Sequence, residues 1–230
     1  MKNTFVISLG GSVFVPQLTV DIGYLRRFRL FLKKQIKRGN KVVLVAGGGG
    51  VCREYQTAAV KIAKASQSDR DWVGIYSTRL NAQLLRVVFA DEAEPIIFDQ
   101  RFKFKKFGRK PLIVAAGWQP GWSTDFIAAQ IAVDLGIGQV VNLTNLPFVY
   151  TGDPRKDKTA KPIKEINWKD YFKVICPKWS PGMHSPFDPV ASKLAQKNGI
   201  EVIVAEGKDL ANLAKIINGQ SFRGTIISDN

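Results

Sequence analysis

Three short apolar runs in this chain each empty into glycine. Residues 5–9 lead into Gly10-Gly11-Ser12, residues 42–45 into Gly47-Gly48-Gly49-Gly50, and residues 112–115 into Gly117-Trp118-Gln119-Pro120-Gly121. Longer amphipathic stretches alternate with such runs, which is the pattern of an α/β protein with a mostly parallel central sheet. Glycine lets a backbone come close to a phosphate and turn its N–H groups toward it, and a following helix N-terminus adds a favourable dipole. One glycine turn is weak testimony. Three at strand ends point to a ligand with several phosphates; the alternative is three tight strand-to-helix connections.

Apolar spacing predicts a helix over 21–37 (Ile22, Leu25, Phe28, Leu32, Ile36), ended by Gly39-Asn40. Further helices are expected over 51–65, 72–89, 124–135, 190–197 and 210–217. Strands are expected over 95–98, 139–143 and 201–204, with a last edge strand at 225–227. Residues 167–189 read as a long loop carrying a short helix. Nothing marks a linker or a repeat, so the chain reads as a single domain, 1–230. A composition shift near Gln119 suggests an N-terminal lobe of about 1–118 and a C-terminal lobe of about 119–230.

At 230 residues with 45% apolar content, a full hydrophobic core is available. No stretch is long and apolar enough to cross a bilayer, and the first residues lack the regions of a signal peptide. With only Cys52 and Cys176, a disulfide framework and a zinc site are not expected, and a cytoplasmic setting fits. The net charge of +15 favours polyanions such as nucleotide phosphates or nucleic acid. The densest basic cluster, residues 101–110, interleaves lysine and arginine with Phe102, Phe104 and Phe107. It reads either as a solvated edge segment with inward phenylalanines or as a stacking platform for nucleic acid. His184, the one histidine, sits in a sequence that reads as a surface turn.

The strand at 139–143 opens into Thr144-Asn145-Leu146-Pro147-Phe148-Val149-Tyr150-Thr151-Gly152-Asp153-Pro154. Open α/β sheets bind ligands at the carboxyl ends of parallel strands, and this loop offers a hydroxyl (Thr144), a ring (Tyr150) and an acid (Asp153). Arg53, just after the four glycines, is placed either to fork onto a phosphate or to face solvent. Asp71 reads as a helix N-cap or as a partner for a sugar hydroxyl. Ser123-Thr124-Asp125 either caps the alanine-rich helix or orients a second ligand, and Trp118 and Trp122 either flank a base or pack in the core. Neither the P-loop pattern nor the full dinucleotide fingerprint occurs, which disfavours those nucleotide sites.

Taken in order, these segments resemble the UMP kinases of the amino acid kinase superfamily over nearly the whole chain. The segment Val6 to Ser12 is similar to the first phosphate loop; Gly47-Gly48-Gly49 with Arg53 and Tyr55 is similar to the second. Asp71-Trp72-Val73-Gly74 followed by Thr78-Arg79-Leu80-Asn81-Ala82 resembles the acceptor-nucleotide helix. Gly117 to Asp125 resembles the loop over UMP; Thr144, Tyr150 and Asp153-Pro154 resemble the ATP side. The tail Asp188-Pro189-Val190-Ala191 with Lys193 is also typical of that family.

The resemblance implies a three-layer α/β/α sandwich and ATP:UMP phosphotransfer giving UDP and ADP, with Mg²⁺ carried on ATP, no metal held by the protein itself, and a homo-oligomer, usually a hexamer. It implies a UMP site at Gly47, Asp71, Gly117, Trp118, Gln119, Pro120, Gly121, Trp122, Ser123, Thr124 and Asp125. It implies an ATP site at Gly10, Gly11, Ser12, Gly48, Arg53, Thr144, Tyr150 and Asp153, with Arg53, Asp125 and Ser12 in catalytic roles. Three positions depart from the family's pattern. Ser8 and Gly50 stand where lysine is common, and Pro147 stands where aspartate is usual, followed by Phe148 where some relatives have glycine. A nucleotide-binding regulator, a sister kinase with another acidic acceptor, and a nucleic-acid-binding protein using residues 101–110 are the alternative readings.

Overall fold

A computed structural model describes residues 3–175 and 185–229. Along the chain run β1 (Thr4–Leu9), α1 (Gly11–Phe14), α2 (Ile22–Lys37), β2 (Lys41–Ala46), α3 (Gly49–Ala63), α4 (Gln67–Val88), β3 (Leu112–Ala115), α5 (Thr124–Leu135) and β4 (Gln139–Thr144). They continue as β5 (Val149–Tyr150), β6 (Pro162–Ile163), β7 (Glu165–Ile166), α6 (Trp168–Val174), α7 (Pro189–Lys197), β8 (Glu201–Glu206), α8 (Leu210–Ile217) and β9 (Thr225–Ile227). Seven strands form one sheet in the order β3-β2-β1-β4-β8-β9-β7, parallel except for the β8–β9 pair. β5 and β6 form a separate antiparallel ribbon.

The strands are apolar at nearly every position because both sheet faces are covered. Ile7, Leu9, Val42, Leu44, Leu112, Val114, Val141 and Leu143 meet Tyr24, Phe28 and Leu32 of α2, Leu85 of α4, and Leu213 and Ile216 of α8. Their neighbours in sequence, Val6, Val43, Val45, Ile113, Ala115 and Val140, point to the other face. There they meet Ile127, Ala128 and Ile131 of α5, Trp168 and Tyr171 of α6, and Ala191 and Ala195 of α7. The period-2 alternation therefore divides the core into two layers, and the molecule is an α/β/α sandwich.

Several element boundaries differ from the sequence reading. α4 starts at Gln67, not Trp72, because Ser66 and Asp69 form a reciprocal capping box. Asp71 is therefore inside the helix and not its N-cap. Residues 95–98 form no strand; the segment touches the sheet only through isolated bridges, Ala93 with Leu112 and Phe98 with Ala115. β9 is not the edge strand, since the two-residue β7 pairs outside it. The strands β5, β6 and β7 are too short for periodicity to reveal. The short helix expected within the stretch 167–189 is α6, capped by Asn167. Cys176 and His184 lie outside the described residues.

Candidate active site

β1 pairs with β2 on one side and with β4 on the other, so the loops leaving these strands diverge and open a crevice at their carboxyl ends. Two glycine loops meet there backbone to backbone. A methyl group built on Gly11 would lie 2.0 Å from the Gly49 nitrogen and 2.6 Å from the Gly47 carbonyl carbon. One built on Gly47 would lie 2.3 Å from the Gly11 nitrogen. Gly49 turns at φ +72°, a conformation that side chains resist. Asn81 of α4, buried, donates from Nδ2 to the carbonyl oxygens of Gly47 (2.8 Å) and Gly48 (3.0 Å), and Gly10 N donates to Leu143 O at 2.9 Å. The cradle is fixed by contacts that admit no side chain.

Gly50 belongs to the same arrangement. A methyl group there would stand 1.8 Å from the Gln17 carbonyl oxygen, and its own N–H donates to Val15 O at 2.8 Å. The position where a lysine is common in the resembled family is thus closed by backbone in this chain.

A cavity of about 340 Å³ lies over the cradle. Of the residues expected at a site, it brings together Gly10, Gly11, Ser12, Gly47, Gly48, Arg53, Asp71, Gly117, Gln119, Trp122, Ser123, Thr124, Asp125 and Thr144. Trp118, Pro120, Gly121, Tyr150 and Asp153 do not line it. Trp118 is a core residue, its ring 5.0 Å from Phe98 and its Nε1 donating to Phe98 O at 3.0 Å. Gly121, at φ +83°, donates from its backbone N to Asp71 Oδ2 at 2.7 Å, holding the 117–125 loop against α4. Burial pushes the Asp71 carboxyl up from its ordinary value, and that bond opposes the shift. Tyr150 stands edge-on to Phe148 at 6.3 Å. Asp153 is paired with Arg155 at 2.9 Å, and the hydrogen bonds from Arg155 hold its carboxyl down at about 2.

Thr144 reaches the cavity with its hydroxyl engaged in its own turn. Oγ1 accepts from Leu146 N at 3.1 Å and donates to Leu146 O at 2.9 Å. Ser123 caps α5, accepting from Phe126 N, which brings Asp125 into the first helical turn beside the end of β1. Arg53 projects from α3 and donates from Nη2 to Pro16 O at 3.3 Å. Among the described residues it is the one cation of the lining, against three acids: Asp71, Asp125 and Asp188.

At the end of β1, Ser8 Oγ donates to Asp125 Oδ1 at 3.0 Å, and Asp188 N donates to Asp125 Oδ2 at 3.2 Å. Burial first, and then the neighbouring Asp188 charge, raise the Asp125 carboxyl to about 7. Asp188 caps α7, with Oδ1 accepting from Val190 N (2.8 Å) and Ala191 N (2.7 Å), and burial pushes its carboxyl up as well. Its Oδ2 is buried with no partner among the described residues. A buried, unpaired carboxylate oxygen is costly unless something charged meets it.

The sequence reading did not name Asn142 or Gln56, and it placed Ser8 and Thr78 only within the stretches resembling the first phosphate loop and the acceptor-nucleotide helix; all four line or floor the cavity. A signal did exist for two of them: Ser8 and Asn142 are polar residues inside otherwise apolar strands. Asn142 Nδ2 donates to Pro186 O at 2.7 Å and so ties β4 to the segment before α7. Asp188 caps α7 with Pro189 at the first helical position, whereas the sequence reading started that helix at Val190 and quoted Asp188-Pro189 only as typical of the resembled family.

The basic segment 101–110 lies away from this cavity. Phe104 packs edge-on against Phe98 at 5.3 Å, Phe107 lies under the Lys41 ammonium at 5.3 Å, and Arg101 pairs with Asp134 at 2.8 Å. Two of its three rings point inward, as in the solvated-surface reading, and only Phe102 stays exposed.

Comparison with known proteins agrees with this geometry. The model described as "Amino acid kinase family" matches residues 3–206. A uridylate kinase of Methanocorpusculum labreanum is 32% identical over 227 residues, covering 98% of this chain and 95% of that protein. One of Methanothrix thermoacetophila is 35% identical over 218 residues, covering 93% of this chain and 95% of that protein. Among solved structures, the uridylate kinase of Archaeoglobus fulgidus superimposes with a TM-score of 0.83 at 29% identity, covering 99% of this chain and 100% of that one. The UMP kinase of Bacillus anthracis, at 20% identity and a TM-score of 0.79 over 100% of this chain and 96% of that one, shares the fold.

Proposed function

We propose that this chain, which belongs to the amino acid kinase family, is a UMP kinase that transfers the γ-phosphate of ATP to UMP, giving UDP and ADP. The observation that carries the site is the backbone contact between Gly11 and Gly47–Gly49 beside Arg53, a phosphate cradle at a strand-order reversal. UMP sits against Gly47, Asp71 and the loop from Gly117 to Asp125, with Trp122 facing the cavity. ATP lies over Gly10, Gly11, Ser12, Gly48 and Thr144, with Tyr150 and Asp153 reaching it from the ribbon side. The division near residue 118 does not separate the two nucleotides: residues before it also serve ATP through Gly10, Gly11, Ser12 and Gly48, and residues after it also serve UMP through Gln119 to Asp125. The setting is cytosolic.

An oxygen of the UMP phosphate attacks the γ-phosphorus as the bond to the ADP oxygen breaks. That oxygen is already anionic, so alignment and charge neutralisation suffice without a general base. Arg53 and Ser12 orient and neutralise the migrating group, and Asp125 is held in place by Ser8 and by the Asp188 N–H.

The acids fit a divalent cation: among the described residues, Oδ2 of Asp188 has no partner and stands beside Asp125 in a lining with a single arginine. Mg²⁺ arriving on the nucleotide would be held by Asp125 and Asp188 and would supply the positive charge that no lysine of the cradle gives. A homo-oligomer fits as well. Trp72, Tyr76 and Leu80 recur every four residues on α4 and are exposed, as are Tyr55 and Ile62 on α3, an apolar face suited to a second copy.

A coupled assay offering UMP, CMP, dUMP and isopentenyl phosphate as acceptors tests the reading. UMP is expected to be the preferred acceptor. Absence of UDP with both nucleotides bound would replace the kinase by a nucleotide-binding relative.

A further inference from the structure

Arg79 stands half-buried on α4 and does not line the cavity. Among the described residues, every hydrogen bond from its guanidinium goes to a backbone carbonyl of the 117–125 loop or of Asp99 beside it. Nε donates to Gly117 O at 3.2 Å, and Nη2 donates to Asp99 O at 3.2 Å and to Trp118 O at 3.4 Å. It makes no ion pair among the described residues. Its guanidinium carbon lies over the exposed Tyr76 ring, 5.6 Å from the centre. The charge is thus met by carbonyl dipoles and a ring instead of an acid. The planar fork spans two chain segments at once, which the single ammonium of a lysine does not.

Thr78, the preceding residue, holds the same glycine from the other side. Its Oγ1 accepts from Gly117 N at 2.8 Å and donates to Ile75 O at 2.7 Å. Two successive residues of one helix therefore take both backbone polar groups of Gly117. A methyl group at Gly117 would lie 2.9 Å from Thr78 Oγ1, so the root of the loop sits hard against α4. Beyond this root, Gln119, Trp122, Ser123, Thr124 and Asp125 follow along the cavity. The tip has one hydrogen bond to α4 among the described residues, from Gly121 N to Asp71 Oδ2 at 2.7 Å. Asp71 is the residue assigned to UMP above. Once it turns to the nucleotide, the hold on the loop falls to Thr78 and Arg79.

We propose that Arg79 is a positioning residue for the acceptor: it sets the root of the 117–125 loop, and through it the affinity for UMP, while touching neither nucleotide. This role rests on the UMP kinase reading and divides its two substrates. The ATP wall is fixed by other bonds, Gly10 N to Leu143 O and Leu146 N to Thr144 Oγ1. A merely structural arginine would not divide them, because Asn81, two residues along the same helix, holds Gly47 and Gly48 of the cradle. Disorder in α4 would therefore reach both nucleotides.

The test is steady-state kinetics of the full chain with UMP and ATP varied in turn, paired with equilibrium dialysis of labelled UMP without ATP. Arg79→Met keeps the length of the side chain and removes every donor. It should raise the KM and Kd for UMP about 10-fold or more, with the KM for ATP and kcat within about threefold of wild type. Arg79→Lys keeps the charge without the fork, and should still raise both UMP constants about fivefold or more. If Arg79→Met does not fold, the lysine variant decides by the same split. Equal losses for UMP and ATP would make Arg79 structural and overturn the proposal, as would unchanged UMP affinity in the variants. Full UMP affinity in Arg79→Lys alone would overturn the part played by the fork. A wild-type chain that binds UMP but forms no UDP would defeat the kinase reading, and the dialysis would then decide the role of Arg79 by itself. A wild-type chain that binds no UMP would overturn both.

Discussion

The two sides of the cavity are built in different ways. On one side, Gly10–Gly11 and Gly47–Gly50 pack backbone against backbone, and a single methyl group at Gly11 or Gly50 would overlap main-chain atoms. On the other, the run from Thr144 to Asp153 is held by side chains: the Thr144 hydroxyl on Leu146, the Arg155 guanidinium on Asp153, and Thr225 on Val149. A backbone-built wall has no alternative arrangement within reach, because nothing flexible can give way. A wall built from side chains can shift by a rotamer. The rigid side suits phosphates, whose geometry does not vary. The adjustable side suits the part of ATP that has to enter and leave.

The strongest way to break this contrast is Gly11→Ala. It should cost at least about 3 kcal/mol or prevent folding, because backbone must yield to the new methyl group. Thermal unfolding with a matched activity assay reads this, and a stable, active variant would show that the cradle is adjustable after all.

Arg53→Ala comes next. Turnover should fall about 100-fold with the melting temperature nearly unchanged, since the side chain's one bond among the described residues is a 3.3 Å contact with Pro16 O. Equal loss of stability and rate would make Arg53 structural.

Asp125→Asn should lower turnover about 10-fold or more and alter the pH dependence of stability. The folded carboxyl titrates at about 7 against an ordinary value of 3.8. Between these values the folded state holds a proton that the unfolded chain has released. The contribution is therefore complete below the lower value and is lost as pH rises through the upper one. Relative to wild type, the variant should gain stability between about pH 5 and about pH 8; parallel melting curves would count against the buried carboxyl.

Asp153→Ala is expected to raise the KM for ATP about threefold and leave kcat in place, because its bond to Arg155 is near the surface. An unchanged KM would remove Asp153 from the ATP side. The smallest effect belongs to Gly152→Ala. The nearest atoms to a methyl group there are 3.6 Å away, so stability should stay within about 0.5 kcal/mol of wild type. A large loss would mean the adjustable side is as rigid as the cradle.

The same contrast decides how much the sequence revealed. The cradle was legible because close backbone approach demands glycine, and glycine is visible in a sequence. The helices at 124–135 and 210–217 were legible to the residue, since caps and apolar spacing agree there. Asp71 was misread as a cap because the Ser66–Asp69 box lies one turn upstream, and a local acid before a tryptophan imitates a helix start. Trp118 and Trp122 look alike in sequence, yet one is core and the other lines the cavity; only tertiary packing separates them. The partnership of Ser8, Asp125 and Asp188 spans the chain, and no local pattern announces it.

The place of β1 has a consequence for how the chain is made. It comes before the other described strands in the chain and pairs with β2 early, yet its other edge waits for β4 at residues 140–143. Tyr24, next to the cradle, donates its hydroxyl to Gly207 O, a partner 183 positions away. Contacts of such separation are slow to form, because a long loop must close before they reward it. A growing chain therefore carries a half-built phosphate cradle and an open strand edge until residues 140–143 have been made. Nucleotide cannot guide the early stages of folding; it can only lock the last one.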